Sequence, residues 1–181
     1  MTLVPTRMEY RIKLAHVDRR LEVEEALIAA LHPSETIEHL TLRVLAWCLL
    51  HEERIGFGAG LSDPDAPDLL TRDLTGRLTT WIECGSADGE KLRRVVQQNN
   101  GVIAHAVFDD ERRKKEFVNQ LAEWKRAAEI RVWKIDPDLV RALAAGDARR
   151  RKWTVTIVGD HLYVDADGES LDGAVTPSRA G

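Results

Sequence analysis

Hydrophobic and polar residues alternate at the two ends of the chain and recur with helical spacing between them. Near the start, Met8, Tyr10, Ile12 and Leu14 alternate with polar residues, as in a half-buried strand. A polar turn and an apolar segment at 21–30 predict the second arm of a hairpin, although residues 24–27 also suit a helix. Segments 153–158 and 161–164 flank Gly159 and Asp160 and predict a closing hairpin.

Residues 32–50 predict the central helix, with Ser34 as a candidate N-cap. At about 100° per residue, Glu35, Glu38 and His39 share one face. That face continues as an apolar stripe, and the opposite face is also apolar, so we expect burial on both sides. The two carboxylates and the imidazole then need partners, water or a metal. Alternatively, the acids only complement the helix dipole.

Strands and helices alternate through the middle of the chain. Predicted strands cover 55–61, 69–74, 78–82, 102–108 and 130–135, and predicted helices cover 90–99, 109–125 and 137–146. This order, with hairpins at both ends, predicts an α/β fold with a mixed β-sheet flanked by helices. A length of 181 residues suits one domain, which we expect over 1–176, followed by a flexible tail at 177–181.

Composition narrows the possible classes of protein. The hydrophobic content of 44% and charged content of 31% are ordinary for a globular protein. The longest apolar run, 44–50, is too short to span a bilayer, and two cysteines make no disulfide framework. We therefore expect a cytoplasmic protein without a membrane partner. The net charge of -4 disfavours a generally basic nucleic-acid binder, and the basic run at 149–152 is more typical of a solvated loop than of a phosphate contact.

Acidic residues surround the hairpin at 69–82. Asp68 precedes it, Asp73 lies at its turn, and Glu83 closes its second, apolar strand. A turn centred on Gly76 would put Glu83 opposite about Leu70, with both aspartates near the same end of the sheet. Together with Glu35 and Glu38, these residues would supply the oxygen ligands that Mg²⁺ prefers. The alternative is a solvated strand end.

The predicted helix at 90–99 adds cations, because Lys91 and Arg94 lie on one face with Gln98. A cation beside an acid cluster suits phosphate chemistry, where it steadies the phosphate while a metal activates water. A solvated helix face is the alternative. The chain has no P-loop, dinucleotide fingerprint or GxSxG motif.

Three segments carry a resemblance to a known family: HPSETIEHLTLRVLAW at 32–47, RDLTG at 72–76 and TWIECG at 80–85, followed by a basic helix. Together they resemble the YaeQ family of bacterial proteins over nearly the whole chain. The resemblance implies a variant of the restriction-endonuclease-like PD-(D/E)XK nuclease core. It also implies site residues at Glu35, Glu38, Asp73 of DLTG, and Glu83 of WIE.

The sequence departs from the simple nuclease signature at Gly85, where a lysine would stand two residues after Glu83. The family places basic residues in the following helix instead, and here these are Lys91, Arg93 and Arg94. Asp68, in the pair Pro67-Asp68, is an alternative first acid. The DxxG setting favours Asp73.

These residues lead to three hypotheses. The first is a magnesium- or manganese-dependent phosphodiesterase acting on nucleic acid: Asp73 and Glu83 ligate the metal, Glu35 and Glu38 hold or orient its coordination sphere, and Lys91 or Arg94 meets the phosphate. The second is a non-catalytic nucleic-acid-binding or transcription-associated adaptor on the same fold. The third is a structural interaction protein, in which the acids pair with Arg43, Arg72 and Arg77.

Overall fold

The computed structural model describes residues 4–180, which form a ten-stranded sheet with four α-helices. The strands are β1 (Thr6–His16), β2 (Leu21–Leu31), β3 (Gly56–Phe57), β4 (Leu69–Arg72), β5 (Leu78–Cys84), β6 (Ile103–Phe108), β7 (Ile130–Ile135), β8 (Arg150–Val158), β9 (His161–Ala166) and β10 (Glu169–Arg179). The helices are α1 (Ile37–Leu49), α2 (Gly89–Gln98), α3 (Glu111–Leu121) and α4 (Pro137–Ala144).

The sheet is mixed and continuous, in the order β2-β1-β8-β9-β10-β7-β6-β5-β4-β3. The pairs β1–β8, β5–β6 and β6–β7 are parallel, and the others are antiparallel. Strand β10 joins the two halves, because residues 169–174 pair with β9 and residues 175–179 pair with β7. The predicted α/β class with a mixed sheet flanked by helices is therefore confirmed.

Helix α1 is central, since every residue from Leu40 to Leu49 is buried. Its apolar side chains share one core with the inner faces of β1 and β8, including Tyr10 and Trp153. The helix begins later than predicted. Its N-cap is Thr36 rather than Ser34, because the Thr36 hydroxyl accepts the N–H of His39.

Strands β5 to β7 are covered on both faces. Helix α1 and the main core lie on one face, with Ile82 and Val107 pointing towards them. On the other face, α2 and α3 enclose a second core that includes Leu92, Phe117 and Val132. Polar groups on these strands therefore reach solvent only near the strand ends.

All three predicted hairpins are present, as β1–β2, β4–β5 and β8–β9. Residues 24–27 lie in β2, so the helical alternative for them is wrong. The prediction of a tail is also wrong for residues 177–179, which pair with β7 from Pro177 opposite Trp133 to Arg179 opposite Arg131. Residue 181, the last of that predicted tail, lies outside the described residues. None of the helices found within residues 4–180 combines the length and apolarity needed to cross a membrane.

Candidate functional site

The hairpin β4–β5 brings two acids together at the carboxyl end of β5. Leu69 pairs with Ile82, so Asp68 lies beside Glu83. The predicted turn had placed Leu70 opposite Glu83. The Asp68 backbone N–H donates to the Ile82 carbonyl at 3.0 Å, and Asp68 Oδ2 accepts the Cys84 N–H at 2.7 Å. A pocket of about 250 Å³ opens here, lined by His39, Asp68, Glu83 and Lys91 among others.

Glu83 is held by a cation and an indole. Its Oε1 lies 2.6 Å from Lys91 Nζ and accepts the Trp81 Nε1–H at 2.9 Å. Lys91 Nζ also donates to the Ala66 carbonyl at 2.9 Å. Burial raises the pKa of Glu83 despite the ammonium beside it, and the negative charge of Asp68 adds to the rise. Lys91 therefore stabilises a carboxylate that its surroundings disfavour.

Asp68 is buried as well, with 7% of its surface exposed. Burial raises its pKa, and the opposing influences are the Cys84 N–H and the charges of His39 and Arg43. Arg43 Nε lies 3.5 Å from Asp68 Oδ1, which makes an ion pair but no hydrogen bond. The aspartate thus keeps capacity to bind a further cation.

Glu35 and Arg43 form a buried pair on and before α1. Arg43 Nη1 lies 3.1 Å from Glu35 Oε1, and Glu35 Oε2 accepts the His32 N–H at 3.1 Å. Burial alone would raise the pKa of Glu35, but the hydrogen bond from His39 and the Arg43 charge lower it below its usual value. Both carboxylate oxygens of Glu35 are already engaged with the protein.

His39 joins α1 to the end of β5. Its Nδ1 lies 2.7 Å from Glu35 Oε1 and its Nε2 lies 3.0 Å from the Cys84 carbonyl oxygen. Both partners are acceptors, so both ring nitrogens must carry a proton and the ring is an imidazolium. Burial would lower the pKa of His39, but the Glu35 hydrogen bond and the Asp68 charge together raise it.

The geometry around Gly85 explains the missing lysine. Gly85 has a φ of +79°, and a Cβ built there would lie 3.0 Å from His39 Cδ2. Only glycine adopts this backbone without strain, and the His39 ring closes the space that a side chain would need. The cation beside Glu83 comes instead from Lys91, one of the helix residues proposed for this role.

Asp73 lies at the opposite end of the hairpin from Glu83, so its predicted place in the metal site is wrong. Its Oδ1 accepts the Thr75 N–H and hydroxyl and the Arg77 N–H, contacts that build the β4–β5 turn and lower its pKa. Arg72 pairs with Leu78, five residues before Glu83, which separates the two ends by roughly 17 Å. The alternative first acid, Asp68, occupies the site.

Two other predicted residues lie outside the cluster. Glu38 is exposed on the first turn of α1, and Arg94 is exposed on α2. Neither forms an ion pair with any residue between 4 and 180. Of the predicted site residues, the structure therefore groups Glu35, Glu83 and Lys91, linked by Asp68 and Arg43.

A larger cavity, of about 470 Å³, lies at the other end of the same strands, where β5 to β7 begin. His105 and Trp133 line it, and Trp133 Nε1 donates to His105 Nδ1 at 3.0 Å. Burial lowers the pKa of His105 to about 3, so the ring is a neutral, hydrogen-bonded core histidine. None of the predicted site acids lines this cavity.

Comparison with known proteins now identifies the family. The family model described as YaeQ protein matches residues 1–175. The chain belongs to the YaeQ family. It is 28% identical to the uncharacterized protein YaeQ of Escherichia coli strain K12, covering 95% of this chain and 94% of that protein. The YaeQ protein of Salmonella typhi is 29% identical with the same coverage.

Two solved YaeQ structures share the fold. The crystal structure of YaeQ protein from Xanthomonas axonopodis pv. citri has a TM-score of 0.87 and 29% identity, covering 98% of this chain and 99% of that one. The structure from Pseudomonas syringae has a TM-score of 0.84 and 26% identity, covering 98% of each chain. The similarity therefore extends over the whole described YaeQ domain.

Asp68 and Glu83 are two acidic side chains that line one pocket of this chain. Between residues 4 and 180, no group of three or more His, Cys, Asp or Glu side chains has metal-binding geometry. Mg²⁺, however, often takes only one or two protein carboxylates and completes its shell with water and substrate phosphate. Among residues 4–180, Asp68 and Glu83 each keep one carboxylate oxygen without a hydrogen bond, whereas both oxygens of Glu35 are hydrogen-bonded to the protein.

Sequence analysis gave two residues of this site a smaller role than the structure does. Asp68 was an alternative only, although the pair Pro67-Asp68 stands directly before a strand. Asp73, followed by Thr75 and Gly76, has the sequence pattern of an aspartate that caps a turn, and this pattern is the signal that could have indicated an engaged carboxylate. Arg43 was considered only as a partner for the acids, and its links to both Glu35 and Asp68 depend on tertiary packing.

Proposed function

We propose that this YaeQ-family protein is a metal-dependent phosphodiesterase that acts on nucleic acid in the cytoplasm, built on a variant PD-(D/E)XK core. One observation carries the proposal: Asp68, Glu83 and Lys91 meet in one pocket at the end of a strand buried on both faces. Asp68, after Pro67, and Glu83 would be the two acidic residues of the PD-(D/E)XK motif. Lys91 supplies its cation from α2.

Each residue has a role that its contacts support. Asp68 and Glu83 would hold Mg²⁺ or Mn²⁺, which polarises a phosphoryl oxygen and lowers the pKa of a bound water. Lys91 has three donor positions, and Glu83 and the Ala66 carbonyl take two. The third is available to a phosphate oxygen. The Cys84 N–H orients Asp68 through a hydrogen bond, and Arg43 adds a positive charge beside it.

A cleavage assay with isosteric variants tests the proposal. Purified protein with Mn²⁺ should cut fluorescently labelled single-stranded or structured oligonucleotides, and Glu83→Gln should abolish cutting with an unchanged circular dichroism spectrum. Asp73→Asn removes one carboxylate from the same hairpin outside the pocket, so it is the matched control and should cut normally. Cutting that survives Glu83→Gln would show a contaminating nuclease and remove the support for this function.

Metal binding can be tested separately from turnover. Millimolar Mn²⁺ should raise the melting temperature, because a ligand that binds only the folded state stabilises it. The double variant Asp68→Asn with Glu83→Gln should lose that rise, while Asp73→Asn should keep it. A parent protein that melts at the same temperature with and without Mn²⁺ would contradict the metal assignment.

A second candidate is the non-catalytic nucleic-acid-binding or transcription-associated adaptor, and the charge balance of the cluster favours it. The carboxylates Glu35, Asp68 and Glu83 are matched by the cations His39, Arg43 and Lys91. Such a cluster is compensated without a metal. Salt-dependent nucleic-acid binding, with no cutting under any divalent ion and no metal-dependent stabilisation, would favour this adaptor over the enzyme.

A further inference from the structure

Arg150, Arg151 and Lys152 of the basic run at 149–152 lie in a strand, not in the solvated loop that the sequence favoured. Strand β8 begins at Arg150, so successive side chains of the run point to opposite faces of the sheet. Arg151 points inwards, where its guanidinium donates to the carbonyls of Leu143, Gly146 and Ala148. Arg150 and Lys152 point outwards and are exposed.

Strand β1 places more cations beside them. In the parallel β1–β8 pair, Glu9 is opposite Arg150 and Arg11 is opposite Lys152. The outward, exposed cations of the two strands form what we call the basic face: Arg7, Arg11, Lys13, Arg150 and Lys152. On β1 and β8 it holds five cations against one carboxylate, Glu9, in a chain with a net charge of -4, and the acids on the neighbouring strands are Glu24 of β2, opposite Lys13, and Asp165 of β9, opposite Thr154.

Three of the five cations of the basic face form ion pairs, and two do not. Glu9 uses one oxygen for Arg7 and the other for Arg150, each at 3.3 Å, and Lys13 lies 3.9 Å from Glu24. The side-chain cations of Arg11 and Lys152 form no ion pair with a carboxylate among residues 4–180, although the Lys152 backbone N–H donates to Asp167 Oδ1 at 3.0 Å.

The strand next to β1 leaves these cations uncovered. The β2 residues that face outwards beside Arg7, Glu9 and Arg11 are Ala30, Ile28 and Ala26, which are exposed and uncharged. Helices α1 and α4 pack on the inner side of the sheet. The basic face is therefore open to a large partner.

The chain connects the start of the basic face to the candidate site. Thr6, at the start of β1, pairs with Leu31, four residues before Glu35. Glu35 Oε1 lies 2.7 Å from His39 Nδ1, and His39 Nε2 lies 3.0 Å from the carbonyl oxygen of Cys84, the last residue of β5. Only a few residues therefore separate the start of β1 from the end of β5, where Glu83 lies.

We propose that the basic face binds the phosphate backbone of nucleic acid and leads it towards the pocket of Asp68 and Glu83. The proposal rests on the proposed function for its substrate. Alternate residues of a strand lie roughly 6.8 Å apart and neighbouring strands about 4.8 Å apart, which offers a two-row array of cations to a polyanion. Arg and Lys contacts to phosphate release counterions without reading the base sequence.

Salt-dependent binding tests the basic face without requiring turnover. Fluorescence anisotropy with a labelled single-stranded oligonucleotide, in EDTA to prevent cleavage, measures the affinity between 50 and 200 mM NaCl. Each lost phosphate contact lowers the logarithmic salt slope by about 0.7 for a single strand. Arg11→Gln with Lys152→Gln should therefore make the loss of affinity across this range about sevenfold smaller.

The matched control is Arg112→Gln with Arg113→Gln, which removes the same charge from exposed positions on α3. It should keep the parent slope, and a control that loses as much slope as the test variant would overturn the proposal. If the double variant does not fold, the single variant Lys152→Gln replaces it, and its expected change in the logarithmic salt slope is half as large, about 0.7.

The remaining outcomes separate this inference from the proposed function. A parent that binds through the basic face but never cuts supports the face and contradicts the phosphodiesterase. A parent that cuts normally while Arg11→Gln with Lys152→Gln leaves the slope unchanged contradicts the face alone. Binding to vesicles of anionic phospholipid, without binding to the oligonucleotide, would assign the face to a membrane surface and overturn the proposal.

Discussion

Gly85→Ala is the substitution that tests most directly how the candidate site is built. Gly85 has a φ of +79°, and its new Cβ would meet His39 Cδ2 at 3.0 Å. The ring is not free to move aside, because Glu35 and the Cys84 carbonyl hold its two nitrogens. The Gly85 N–H also donates to the Val107 carbonyl at 2.8 Å, which fixes the backbone.

Two costs add in this variant. An alanine in the left-handed region costs about 1–2 kcal/mol, and forcing atoms into a packed space costs about 1–3 kcal/mol more. We therefore expect Gly85→Ala to lower the free energy of unfolding by about 2–5 kcal/mol. Gly76→Ala is the control, because Gly76 has a φ of +84° with no atom within 4 Å of the new Cβ, and it should cost only the first part.

Urea unfolding of both variants measures the difference. Adding His39→Ala to Gly85→Ala should recover the packing part of the loss, relative to His39→Ala alone. The argument is refuted if Gly85→Ala costs no more than Gly76→Ala, or if His39→Ala recovers nothing. In that case His39 does not exclude a lysine side chain from position 85. The structure would then give no reason why Lys91, rather than residue 85, supplies the cation beside Glu83.

Three further predictions concern residues of helix α1. Leu45→Ala should cost about 2–5 kcal/mol in urea unfolding, because Leu45 is fully buried; a cost under about 1 kcal/mol would contradict the central position of α1. Arg43→Met should cost about 3–5 kcal/mol in the same assay, since it leaves the buried Glu35 without its guanidinium, and a near-neutral result would mean that His39 alone compensates it. His39→Gln should cost more at pH 6 than at pH 9, because the raised pKa of His39 stabilises the fold below its usual value of 6.5 and this contribution is lost as the pH rises through the folded-state value. An equal cost at both pH values would show that the ring is neutral.

Periodicity predicted the fold well wherever the pattern was long and local. The alternation through Tyr10 and Ile12 gave β1, and the two-faced apolar segment around Leu45 gave α1. Strand β10 was missed because Gly173 and Pro177 are typical of loops. Glycine is needed at position 173 for a tertiary reason. A Cβ there would lie 2.9 Å from the Cβ atoms of Asp136 and Leu139, so only glycine lets α4 pack against this strand.

The site was harder to predict because its register depends on one turn. The Asp73 carboxylate is engaged in the turn itself. The register of the β4–β5 pair shifts between Thr71 and Arg72, which places Asp68 opposite Glu83. A side chain that caps a turn and one that binds a metal are both aspartates in sequence. The burial of Asp68 beside the end of β5 distinguishes them only after the strands have paired.

The pairing of β1 with β8 also has a consequence for synthesis on the ribosome. Tyr10 is matched with Arg151, about 140 residues later in the chain, and β2 lies at the edge of the sheet. The first hairpin to emerge therefore waits, with one side of β1 unpaired and its apolar face uncovered, until the last third of the protein has been made. Exposed strands in such waiting states are prone to aggregate. We expect expression yield to depend on chaperones and on growth temperature more strongly than the stability of the finished fold would suggest.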